Sequence, residues 1–207
     1  MEERIFGFAP SIIDGTEHIY STDLNKLPAH YSYKRFLPSI IDQGTLSICV
    51  PCSLSAYLNW KENLNTGSKK DNKIKYMDIY NARTNYGDGM SFKEALHYLR
   101  HHGVQSNAGT LKIDSYAMIK NEISLKAALI ANGPCIGGLP VYNYSNEFWK
   151  KNPGDSLIGG HAISIAGYDD TGFLIRNSWG RSFGDNGYTH IKYEDLKSFY
   201  EIWTIIE

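Results

Sequence analysis

Several residues of this chain could together carry out acyl transfer, and their spacings fit one another. Gly159-Gly160-His161-Ala162 is followed downstream by Arg176-Asn177-Ser178-Trp179-Gly180. A histidine base needs a partner that fixes its tautomer and ring orientation. A neutral amide such as Asn177 suffices when the resting pair is already ionic, and Trp179 can shield that bond from water. Such a base predicts a nucleophile far upstream, at the start of a helix. The stretch Asp42-Gln43-Gly44-Thr45-Leu46-Ser47-Ile48-Cys49-Val50-Pro51-Cys52 supplies Cys49, which leaves a Gly-containing loop and enters a helical run. The exposed N–H groups and dipole of a helix start favour a thiolate there, and an imidazolium at His161 would favour it further. The oxyanion of a tetrahedral intermediate needs donors; the backbone N–H of Cys49 and the side-chain amide of Gln43 fit that role.

The elements that must hold these residues divide into helices first and strands second. Val50, Leu54, Tyr57, Leu58 and Trp60 recur at near-helical spacing over 49–64, and Gly67 is placed to end that helix with a left-handed cap. Residues 76–85 read as a second helix. Ser91-Phe92-Lys93-Glu94 is a capping box for a third, running to Gly103, and residues 122–132 form a fourth, ended by Gly133-Pro134. From there the period changes. Residues 135–141, 161–168, 173–177, 188–193 and 202–206 are short β-rich runs separated by turn residues such as Asp170-Thr171-Gly172. This order predicts an α+β chain with a helical half, a sheet half and a cleft between them.

Composition narrows the class. The chain has 207 residues, 42% hydrophobic and 13% aromatic, enough to fill a real core. A formal net charge of −1 gives no electrostatic reason to expect nucleic acid or an anionic membrane as partner. No 18-residue apolar run predicts a membrane span. The first residues hold no apolar signal core, so a cytoplasmic location is expected. Three cysteines, an odd number, argue against a disulfide framework and for a reducing compartment.

Taken together the motifs resemble the papain family of cysteine peptidases. The resemblance rests on Asp42-Gln43-Gly44 with Cys49, Gly87-Asp88-Gly89, Asn132-Gly133-Pro134, Gly159-Gly160-His161-Ala162 with Gly167-Tyr168-Asp169, and Arg176-Asn177-Ser178-Trp179-Gly180 with the glycine-rich Phe183–Tyr188 stretch. These occur in family order over roughly residues 27–207. The resemblance implies a two-lobed fold, with a mainly helical left lobe over about 40–105 and an antiparallel sheet or barrel as the right lobe over about 106–207. It implies Cys49 as nucleophile, His161 as base and acid, Asn177 as orienter and Gln43 as oxyanion donor. It further implies a polypeptide substrate in extended conformation, met by Asp88, Gly89, Met90, Leu139, Gly160 and Trp179, with no metal or organic cofactor. The chain departs from the family pattern beside the nucleophile: Leu46 stands where secreted members have a disulfide cysteine, and Ser47, Ile48 and Val50 replace a Gly-Ser pair and an aromatic.

Structural roles compete with these assignments. Cys52 and Cys135 are expected in the core. His97 and His101, four apart on a helix, could hold zinc, yet no further ligand completes a known spacing, so a solvated helix face is expected. Residues 1–26 are expected to form an extension that serves as a strap or a cleft cover. Two alternatives to a peptidase stand beside it: a non-catalytic peptide-binding module on the same fold, and a thiol acyl-transfer or deconjugating enzyme.

Overall fold

A computed structural model describes residues 4, 6–23, 26–67, 69, 71, 74, 76–84, 89–107 and 109–207. In chain order the elements are β1 (Tyr31–Ser32), α1 (Cys49–Thr66), α2 (Tyr76–Asn81), α3 (Phe92–His101), β2 (Val104–Ser106), β3 (Gly109–Leu111), β4 (Ser115–Met118), α4 (Glu122–Asn132), β5 (Cys135–Val141), β6 (Gly159–Tyr168), β7 (Phe173–Arg176), β8 (Tyr188–Ile191), a 3-10 turn (Tyr193–Ser198) and β9 (Glu201–Ile206). The main sheet runs β4-β9-β5-β6-β7-β8, with β1 added along β6, and its pairings are antiparallel.

α1 is the helix on which the site depends. It is buried on all sides from Cys49 to Trp60, so its apolar spacing reads less as a stripe than as a fully enclosed rod. Three of the polar side chains on it donate one turn back, while the Asn59 carbonyl oxygen is buried without a partner. Ser53 Oγ donates to the Val50 carbonyl at 2.9 Å, Ser55 Oγ to Cys52 at 3.0 Å, and Asn59 Nδ2 to Ser55 at 2.8 Å. Buried hydroxyls and amides paired in this way cost little. Gly67, in the left-handed region, ends the helix by donating to the Asn63 and Leu64 carbonyls.

The capping box at α3 is half used. Ser91 Oγ accepts from the Glu94 N–H at 3.2 Å, but the Glu94 carboxylate turns to Thr84, accepting from its N–H and, at 2.7 Å, from its hydroxyl. A Ser91→Ala change is therefore expected to cost about 1 kcal/mol, read as a lowered denaturation midpoint at constant m-value.

Two core clusters meet at the central strands. One holds α1, α3 and one face of the sheet (Leu54, Tyr57, Trp60, Met90, Phe92, Ile136, Ala162, Trp203). The other holds α4 and the opposite face (Leu129, Leu139, Phe148, Trp149, Ile163, Ile175, Trp179). Arg176, 4% exposed, pins the approach to α1: its guanidinium donates to the Pro38 and Ser39 carbonyls at 3.1 and 2.7 Å.

The segment before β1 lies along the sheet lobe and then across the junction. Residues 18–20 flank β4, with Met118 N–H donating to His18 and Tyr20 N–H to Met118. Lys93 pairs with Glu17 at 2.6 Å and Asp14 at 3.3 Å. Ser11 N–H donates at 2.8 Å to Glu201, whose other oxygen accepts from the Trp203 indole at 2.6 Å. Among the described residues no helix is long and apolar enough to cross a membrane.

Candidate active site

Cys49 is the first residue of α1, and His161 and Asn177 come from β6 and the end of β7. His161 and Asn177 meet directly, with Nε2 2.7 Å from the Asn177 carbonyl oxygen. That oxygen also accepts the Ser178 N–H at 2.7 Å. An oxygen in this position can only accept, so Nε2 carries the imidazole hydrogen and Nδ1 is the bare nitrogen. Nδ1 is buried without a hydrogen-bond partner. The Trp179 ring lies over the imidazole, centroids 4.8 Å apart and planes inclined by 31°. Cys49 joins the site through the residue after the histidine, since the Ala162 N–H points at its sulfur.

Gln43 is tied to the same unit. Its backbone N–H donates to the Ser178 carbonyl at 2.9 Å. Its Oε1 accepts from Ser178 Oγ at 2.6 Å and its Nε2 donates to Leu46 at 2.9 Å. Ser178 therefore joins the loop before α1 to the orienting asparagine. Sequence reasoning assigned Ser178 no role, although it lies between Asn177 and Trp179.

The site is covered. Phe8 N–H donates to the Gly160 carbonyl at 3.2 Å, Met90 N–H to Gly7 at 2.8 Å, and Ala9 N–H to Met90 at 3.1 Å. Residues 7–9 thus form a short parallel bridge to Met90 on one side and are held by Gly160 on the other. Gly7 passes directly over Cys49. A β-carbon there would stand 2.1 Å from the Ser47 carbonyl oxygen, and the Gly7 N–H points at the Cys49 sulfur. Phe6 sits 6.1 Å from His161 and from Trp179, edge to face. The Arg4 guanidinium reaches Asp42 at 3.1 Å and the Trp179 carbonyl at 3.3 Å.

Phe8 fills a pocket, 5% exposed, with its ring 5.0 Å from Phe92. Full burial of such a side chain is worth about 1.5–3 kcal/mol, more than the surface Arg4–Asp42 pair, so it is the main anchor. The pocket floor is Gly138, where a β-carbon would come within 2.1 Å of the Phe8 ring. Leu139, expected to line this pocket, does not. Alternation along β5 turns it to the other face, where it is fully buried in the second core cluster. Met90 and Gly160 both hold residues 7–9 through main-chain bonds, and a β-carbon on Gly89 would lie 3.6 Å from the Gly7 carbonyl. Asp88 lies outside the described residues.

Burial sets the protonation state. Cys49 and His161 are both fully covered. Desolvation pushes the Cys49 thiol up to about 11, against the lowering effect of nearby N–H groups. It drives the His161 imidazole down to about 4, partly offset by the Asn177 bond and reinforced by the Arg4 charge. In this covered form burial opposes the thiolate that a helix start favours, raising the thiol and lowering the imidazole. Cys52 and Cys135 are buried free thiols, also raised by desolvation. His97 and His101 lie with ring centroids 4.3 Å apart and planes inclined by 45° on α3, and no group of three or more metal-ligating side chains occurs among the described residues.

A thiol on a helix start, an imidazole and an orienting amide, joined across a helix–sheet junction, make up the arrangement of thiol-nucleophile hydrolases. Residues 52–201 match the model of the papain family of cysteine proteases, and the chain belongs to that family. The match begins at Cys52, so Gln43 and Cys49 stand outside it and their assignment rests on spacing and position. The chain is 37% identical over 87 residues to a gut-specific cysteine proteinase of Caenorhabditis elegans, covering 38% of this chain and 26% of the relative. It is 30% identical over 122 residues to a probable cysteine proteinase, 224L, of Invertebrate iridescent virus 6, covering 42% and 27%. The chain thus spans about a quarter of the length of these relatives. The fold is shared with xylellain, a cysteine protease from Xylella fastidiosa, at a TM-score of 0.80 and 23% identity, over 100% of this chain and 98% of that one. It is also shared with proCathepsin B S9 from Trypanosoma congolense at a TM-score of 0.78 and 15% identity, over 97% and 86%.

Proposed function

We propose that the chain is a cysteine peptidase held in a latent form by its own residues 4–9. The observation that carries the reading is the His161–Asn177 bond, which leaves Nδ1 as the bare nitrogen beside the residue that contacts Cys49. When the segment withdraws, His161 Nδ1 takes the Cys49 proton. The thiolate attacks the carbonyl carbon of a peptide, and the carbonyl electrons move to oxygen, where the Cys49 N–H and the Gln43 amide stabilise them. Collapse expels the amine, which receives its proton from His161. Water, deprotonated by the same imidazole, then attacks the thioester and releases the carboxylic acid and the thiol. Asn177 holds the ring throughout. The substrate is a polypeptide that takes the extended path now followed by residues 7–9, between Met90 and Gly160, with an apolar side chain in the Phe8 pocket. Three free thiols suit a reducing compartment, and the cytoplasm is the proposed location.

The reading is tested with a peptide-mimicking electrophile on a Gly7→Ala variant, whose segment seats less firmly, followed by mass spectrometry of the adduct. Cys49 should be modified ahead of Cys52 and Cys135. The selectivity should vanish when His161→Ala is added, and turnover of an unstructured polypeptide should vanish with it. Equal, slow modification of all three cysteines would mean a binding module instead.

A further inference from the structure

The arginine at the start of the covering segment reports the chemistry of a second pocket. On the Trp179 side of Cys49 lies an open cavity of about 490 Å³, bordered by Asp42, Tyr144, Trp179 and Phe183, with Arg4 on its wall. The Arg4 guanidinium meets three features there: the Asp42 carboxylate at 3.1 Å, the Trp179 carbonyl oxygen at 3.3 Å, and the Trp179 ring with its centroid 5.6 Å away. Asp42 is held in place for this. Its carboxylate accepts the Gly44 N–H at 3.0 Å, and its backbone forms a bridge with Trp179. Apart from Arg4 and Asp42, every residue lining the cavity is uncharged. Once residues 4–9 leave, the cavity keeps one fixed carboxylate, one outward carbonyl and an aromatic face. That combination recognises a guanidinium or ammonium group, and it repels a carboxylate.

We propose that this cavity is a specificity pocket for a basic side chain of the polypeptide substrate, with Asp42 as its selecting residue. In the covering segment Arg4 stands three residues from Gly7, which passes over the sulfur. A substrate would therefore present its basic residue two to three positions from the bond cut, on the side that runs to Trp179. The Phe8 pocket across the site is apolar, so the two pockets read opposite chemistries on the two sides of Cys49. This inference rests on the peptidase reading above.

The test uses full-length Gly7→Ala protein and a set of otherwise identical peptides, with arginine, glutamine or glutamate placed in turn at each of three positions on either side of an apolar anchor residue. On one side only, arginine should raise kcat/KM about tenfold over glutamine, the sum expected of one exposed ion pair and one cation–π contact, and glutamate should lower it. Asp42→Asn, which can still accept the Gly44 N–H, should bring the arginine-to-glutamine ratio close to one. Asp42→Lys should move the preference to glutamate. Cleavage of all peptides at equal rates would overturn the inference and leave the peptidase reading intact. A preference for arginine that survives both Asp42 variants would also overturn it. Failure to cleave any peptide, together with unselective cysteine labelling, would remove the peptidase reading itself.

Discussion

A Gly7→Ala substitution is expected to speed modification of Cys49 by a soluble electrophile at neutral pH by about 10- to 100-fold. The added β-carbon would stand 2.1 Å from the Ser47 carbonyl oxygen, 2.3 Å from its carbon and 2.8 Å from the Ser47 α-carbon. All three are main-chain atoms at the entry to α1, where no side chain can rotate away. Inserting a methyl into such a contact costs about 1–3 kcal/mol, and that cost falls only on the covered form. Nothing in the catalytic set is touched. The rate in the native chain is set by the fraction of time the segment is away, so the change in that fraction appears directly as rate. Amide hydrogen exchange at Phe8 and Ala9 should rise in parallel, because their N–H groups donate to Gly160 and Met90 only when the segment is seated. Faster exchange with no change in Cys49 reactivity would show that the segment does not govern access.

Much of the site could be read from residue types because its members are local and spacing carries them. The start of α1 is set by the change from a Gly-containing loop to an apolar run. The His161–Asn177 pair follows from two strands joined by a short turn, which bring positions on one face together. Three things could not be read. The first is which side of β5 faces the pocket. A strand fully buried on both faces has no polar alternation to mark its parity, so Leu139 was as plausible as Gly138. The second is the small β2–β3 hairpin and β4, three and four residues long, whose polar residues give too few positions for a period of two. The third is the path of residues 4 and 6–9. It depends on main-chain bonds to Met90 and Gly160, partners distant in sequence, and no side-chain pattern encodes those. Phe6-Gly7-Phe8 does carry a trace of it: two aromatics around the one residue small enough to pass Ser47. The burial that raises the Cys49 thiol comes with that path, and a rule about helix starts carries no information on it.

The same coupling makes the cover sensitive to pH, and the expected result is a seated segment most stable between about 6.5 and 9. His161 ordinarily titrates near 6.5 but in the covered site only at about 4. Between those values an uncovered site whose Cys49 keeps its own proton takes up one at His161 that the covered site refuses. The contribution of neutral His161 to seating is therefore complete above 6.5 and is lost as pH falls toward 4. Each tenfold rise in proton concentration across that window is worth at most about 1.4 kcal/mol. The part of the burial due to Phe6, together with the Arg4 charge, is what withdrawal relieves, so opening should increase on the order of 10- to 100-fold by pH 4.5. The alkaline limb has the opposite sign. Burial in the covered form lifts the Cys49 thiol from 9.0 to about 11, so its contribution is complete below 9 and is lost as pH climbs through 11. Hydrogen exchange at Phe8 and Ala9, corrected for the intrinsic pH dependence, measures seating without relying on cysteine reactivity. Protection should fall on both sides of the plateau. His161→Ala should flatten the acid limb and Cys49→Ser the alkaline one, each leaving the other in place. Protection that stays constant from pH 7.5 to 4.5, or an acid limb that persists in His161→Ala, would mean that the imidazole under Phe6 does not control the cover.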